Sequence, residues 1–128
     1  MIEEAVYNEI KADSIIAPKL QDGAIYNIYP LRVPDNTQFA KAITYTEITQ
    51  TLIYPLARTS VVQINCIAKD FDDAVDLARD IDRIFNDKAE YKMGNKLSVN
   101  YSKFSGRNSL YDADAQMYVV AVEITIKF

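Results

Sequence analysis

The residues that come nearest to chemistry in this sequence are acidic. Asp70-Phe71-Asp72-Asp73 and Asp112-Ala113-Asp114 each place carboxylates close enough along the chain to share a hard cation. The first lacks the glycine, ligand spacing and closing glutamate of an EF-hand loop, and capping a helix accounts for it without a metal. The second reads as turn residues ahead of a strand. Ser60 or Ser105 could pair with a lysine, but neither lies in a strained elbow motif. A carboxylate pair for glycoside hydrolysis would need a cleft that takes a sugar, and nothing in the sequence indicates one. Cys66 falls in an alternating apolar run, where it reads as a small core hydrophobe.

The absences say as much. There is no histidine or tryptophan, one cysteine, and only Gly23, Gly94 and Gly106 as glycines. Without histidine there is no Ser–His or Cys–His pair and no imidazole base, and one cysteine cannot build a usual zinc site. Three scattered glycines form neither a dinucleotide fingerprint nor a phosphate-cradling loop. Fourteen basic against 18 acidic residues leave a net charge of −4, which argues against a dedicated nucleic-acid binder. The nine tyrosines lack the basic interleaving of a base-stacking surface. No stretch is long and apolar enough to span a membrane. Met1-Ile2-Glu3-Glu4 is acidic where a secretory signal is basic, so a cytoplasmic origin is expected, as the lone cysteine also suggests. No cofactor or metal is expected, and 128 residues read as one domain over 1–128.

The elements that would carry these residues follow from periodicity. Ile2, Val6 and Ile10 predict a short amphipathic helix over Ile2 to Ala12, with Glu3 and Glu4 suiting its positive end. Gln21-Asp22-Gly23 is a turn, and the prolines in Ile28 to Pro34 allow an extended edge segment at best. Strands are expected over Phe39 to Gln50 and Arg58 to Ala68. Between them, Leu52-Ile53-Tyr54-Pro55-Leu56 is apolar where a hairpin loop belongs. It either folds back over the core or projects to pack on another subunit. Asp70 to Asn86 carries the best helical stripe, with Asp72, Asp76 and Asp80 on the opposite, solvated face. Lys88 to Asn95 holds a turn around Gly94-Asn95, and a strand from Leu97 to Ser102, a loop from Ser105 to Ala115 and a final strand from Tyr118 to Phe128 complete the reading. The expected fold class is α+β, helix-β-β-helix-β-β, one antiparallel-rich sheet with helices packed mainly on one face. On these grounds alone, a small ferredoxin-like regulatory or ligand-binding domain is one reading of the function.

In order along nearly the whole chain, four features resemble a known family. The N-terminal helix leads into Ile28-Tyr29-Pro30, Val33-Pro34-Asp35-Asn36-Thr37 and Ile43-Thr44-Tyr45. Ser60-Val61-Val62-Gln63-Ile64-Asn65-Cys66 leads through a polar cap into Asp70-Phe71-Asp72-Asp73-Ala74. Leu110-Tyr111-Asp112 and a short loop precede the closing strand from Tyr118 to Phe128. In these the chain resembles the tail completion, or tail terminator, proteins of long-tailed bacteriophages and prophages. Ala40-Lys41 departs from the proline that many relatives carry before the first strand.

The resemblance implies a non-enzymatic head–tail joining protein of the virion tail, assembled in the host cytoplasm. It would form a hexameric ring that caps the tail tube, ends its polymerisation and docks the head connector. The implied partners are further copies of the chain, the major tail tube protein, the connector protein and duplex DNA that passes without specific binding. Rings need a heterologous patch, for which the candidates are Leu52, Ile53, Tyr54 and Leu56 together with Arg107 and Tyr111. Asp72, Asp76 and Asp80 are candidates for an acidic lumen that repels DNA.

Overall fold

A computed structural model describes residues 2–53 and 57–128. The chain opens with α1 (Ile2–Ala12) and a short second helix, α2 (Ile16–Leu20). Ile2, Ala5, Val6 and Ile10 form the buried stripe of α1, as their spacing predicts. Asp13 starts α2: its Oδ1 accepts from the backbone N–H groups of Ile15 and Ile16, both at 3.0 Å. A two-residue hairpin, β1 (Gln21–Asp22) and β2 (Ile25–Tyr26), turns through Gly23 at φ 64°.

The main sheet has six strands in the order β3-β4-β5-β8-β7-β6. They are β3 (Ile28–Pro30), β4 (Lys41–Ile53), β5 (Ala57–Ala68), β6 (Lys88–Met93), β7 (Leu97–Asp112) and β8 (Met117–Lys127). The short α2 and the β1–β2 hairpin add to the expected order, and strands dominate the fold. β3 is parallel to β4 and every other neighbouring pair is antiparallel. Pro30 ends β3 at the sheet's margin, where its missing N–H does no harm.

Two segments differ from the sequence expectation. The turn expected around Gly94-Asn95 is present, both residues at positive φ, but Lys88 to Met93 ahead of it is an edge strand that the sequence reading does not separate from it. The strand begun at Leu97 does not break at Ser105. It passes Gly106 through a bulge opposite Glu123 and runs on to Asp112. Gly106 marks a bulge here, and the polar run that reads as a loop is the exposed side of a paired strand.

The sheet is two-faced. Val62, Ile64 and Cys66 of β5 and Val120, Val122, Ile124 and Ile126 of β8 are fully buried against the helices. Helix α3 (Phe71–Phe85) crosses this face from β5 to the far edge and buries Ala74, Leu77, Ala78, Ile81, Ile84 and Phe85. Helices α1 and α2 cover the other half of the same face and share its core. The opposite face carries no helix. There Thr44, Asn65, Ala121 and Asn108 stand in one row, and Thr46, Gln63, Glu123 and Gly106 in the next.

Candidate assembly interface

The residues singled out by sequence fall at two places on the sheet. Leu52 and Ile53 end β4, paired with Arg58 and Ala57 of β5. Tyr54, Pro55 and Leu56 lie outside the described residues, so the apolar hairpin tip is untested. Arg107 and Tyr111 lie on the far side of the sheet, in the second half of β7. Both stand on the helix-bearing face, opposite Val122 and Tyr118.

Tyr111 belongs to an aromatic row. Its ring centroid is 4.8 Å from that of Tyr118, which in turn is 5.7 Å from Phe71 at the start of α3. Tyr111 is 51% exposed and Leu110, on the other face, is 48% exposed. Both faces of this strand end are therefore apolar and open, which is unusual for a solvent-facing loop. Leu110 falls within the Ser105 to Asp114 segment that the sequence offers as a candidate patch, there read as a loop and here a paired strand.

The candidate acidic face is only partly solvated. Asp80 is 8% exposed, and its Oδ2 lies 2.8 Å from Lys19 Nζ, which also reaches Asp76 at 2.7 Å. Lys19 projects from α2, so two of the three carboxylates serve to dock one helix on another. The Lys19 hydrogen bond holds the Asp76 carboxyl below its ordinary range. Asp72 is exposed.

Neither aspartate motif builds a metal centre. Among the described residues no group of three metal-ligating side chains converges. Asp112 Oδ1 instead accepts from the Asp114 and Ala115 N–H groups at 3.1 and 3.2 Å, closing the β7–β8 turn. Asp73 faces Lys41 at 3.9 Å, and Asp70 makes no side-chain cap bond although it stands at the helix start.

Where pKa values are perturbed, every one moves away from neutrality. The Arg83 hydrogen bond pulls Asp13 down to about 2, and burial pushes the Tyr91 phenol up to about 12. Burial also raises the Cys66 thiol. General acid–base catalysis arranges the opposite, bringing pKa values toward the working pH.

A cleft of about 480 Å³ lies on the helix-free face under the Leu31–Phe39 connection. Its floor includes Ile67, Val119 and Met117. Of the polar groups lining it, Asn65 and Thr44 hydrogen-bond each other at 3.1 Å, Arg32 faces Asp35 at 3.7 Å, and Asp112 is engaged in its own turn.

What the sheet does offer is two free margins. Strand β3 covers β4 only at Ile43–Tyr45, and β6 covers β7 only as far as Ser102. Among the described residues, nothing pairs with the outer side of β4 from Thr46 to Ile53, or of β7 from Ser105 to Asp112. The Thr46 hydroxyl, at the start of the first margin, is buried without a hydrogen-bond partner. Such long bare edges usually carry lysine, proline or a cover.

The fold has a counterpart in a virion. A chain from the virion of a native gene transfer agent particle superposes with a TM-score of 0.76, covering 98% of this chain and 92% of that one. At 15% identity the likeness is one of fold. No family model and no curated protein matches the sequence. Among the described residues no helix is long and apolar enough to cross a membrane.

Proposed function

We propose that this protein is a non-enzymatic structural part of a phage-like virion, which caps the tail tube and joins the tail to the head connector. The observation that carries this reading is the virion fold, shared over nearly the full length of both chains. The sequence features that resemble tail terminators narrow it from virion component to tail cap. The polar groups of the cleft are largely engaged with one another or with backbone, which agrees with a part whose work is shape.

In this reading copies of the chain, six by the family resemblance, close into a ring through heterologous contacts between the two margins of the sheet. The ring meets the tail tube protein on one side and the connector on the other, and it functions within the virion tail after assembly in the host cytoplasm. DNA passes without being held. The helix-free face mixes threonine, asparagine and glutamine with apolar residues such as Val61, Ile67 and Val119, and its charges are of both signs, Glu123 and Asp112 against Lys103 and Lys127. An acidic lumen through α3 would rest chiefly on Asp72, since Asp76 and Asp80 are engaged by Lys19. Neither face presents the basic stripe that would neutralise phosphates.

Electron microscopy of the protein mixed with tail tubes from the same particle tests the assignment. Rings seated on tube ends are expected. Bare tube ends at saturating protein would overturn it.

A further inference from the structure

We propose that copies of this chain join edge to edge, the Gly106–Asp112 half of β7 in one copy pairing antiparallel with the Thr46–Ile53 half of β4 in the next. This rests on the ring reading and specifies its contact. Direction permits it. From β4 through β5 and β8 to β7 there are three antiparallel steps, so β7 runs opposite to β4. A copy related by rotation therefore presents its β4 to β7 as one more antiparallel neighbour, continuing the ladder.

The two bare halves also interlock. β3 covers the lower half of β4, and β6 covers the upper half of β7, taking the β4 direction as up. The free half of β7 is thus a notch below β6, and the free half of β4 is a tongue above β3. With the tongue in the notch, the neighbour's β3 lies past the end of β7 and does not obstruct the pairing.

Register follows from the requirement that helices stay on one face, because a one-residue slip exchanges faces. Pairing Asn108 with Thr51 satisfies it, since both stand on the helix-free face. It also sets Leu110 opposite Thr49, Tyr111 beside Glu47 and Asp112 beside Thr46. Within a copy Asn108 is level with Thr44, through Ala121 and Asn65. Moving from Thr44 to Thr51, less the bulge residue between Glu47 and Thr49, shifts each copy by six positions. Six residues at about 3.3 Å against four strands at about 4.8 Å tilt the strands by about 46°, close to the roughly 35–45° that closed barrels use. The stagger between the two bare halves is the stagger a closing sheet needs.

The occupant is a second copy because the chain carries both halves of the joint, seven residues of β7 against eight of β4 with one of these the bulge residue, and opposite in direction. Thr46 stands at the start of this bare half, where Asp112 of the neighbour would lie opposite. Neither bare half carries a lysine or a proline, the residues that most often block such an edge.

Paired cysteines read the contact directly. The variants Asn108→Cys/Thr51→Cys and Leu110→Cys/Thr49→Cys place thiols opposite each other across the joint, at exposed strand positions, within disulfide reach. Oxidised alone and with tail tubes, each double variant is expected to give a covalent ladder on non-reducing gels, absent from all four single variants. Rings or capped tubes without the ladder would overturn the edge pairing and leave the ring reading standing. A ladder without rings would support the edge pairing and defeat the ring. Monomers only, unlinked and uncapping, would overturn both.

Discussion

At the residue scale, charge in this protein serves docking between helices. Arg83 on α3 grips Asp13 through both guanidinium nitrogens, at 2.8 and 2.9 Å, while Asp13 also caps α2. Because Asp13 is depressed from 3.8 to about 2, its contribution is complete above pH 4 and is lost as pH falls through 2. Arg83 is 42% exposed, so the pair is screened and contributes about 1 kcal/mol. Chemical denaturation of wild type and Arg83→Gln should differ by that amount at pH 6 and converge near pH 2. Lys19 matters more, because Asp80 beside it is nearly buried. Lys19→Met should cost about 2 kcal/mol in urea unfolding by leaving that carboxylate poorly paired. Adding Asp80→Leu should recover most of the loss. Periodicity could not show this: α3 displays its aspartates as a solvated face, and only the arrival of α2, 57 residues upstream of Asp76, consumes two of them.

At the element scale, the strongly periodic pieces were legible. The spans of α1, α3, β5 and β8 match the sequence reading closely, because each has a full apolar stripe facing one core. β6 and the far half of β7 were not legible, because each is an edge with little buried surface to impose alternation. Lys88-Ala89-Glu90 does not read as a strand and Ser105 to Asn108 reads as a break, since their order comes from backbone pairing, which side-chain type hardly records. The β6–β7 turn is also a docking point. Gly94 has φ 60°, donates to Glu9 Oε1 at 3.0 Å, and would set a Cβ 2.7 Å from the Ala5 carbonyl oxygen. Backbone cannot yield there as a flexible side chain would. Gly94→Ala should therefore lower stability by about 2 kcal/mol or more in thermal unfolding, by prising α1 from the sheet.

At the scale of the whole molecule, the candidate site shows where sequence reading stops. Arg107 and Tyr111 were found as interface candidates inside a supposed loop, and they stand on a strand whose outer edge is bare. The edge itself could not have been found from residue types, since an unpaired backbone has no signature in the side chains it carries. It becomes visible only when the ends of β3 and β6 are known. The family resemblance supplies a ring, and the sheet's two staggered margins supply a way to close one. The apolar Leu110 and Tyr111 then read as the flanks of a joint rather than as exposed surface. The most direct measurement is cryo-electron microscopy of the ends of tail tubes incubated with the protein. The account predicts a ring of six copies on the tube end, with β7 of each copy running beside β4 of the next. Tube ends that carry no added density would contradict it.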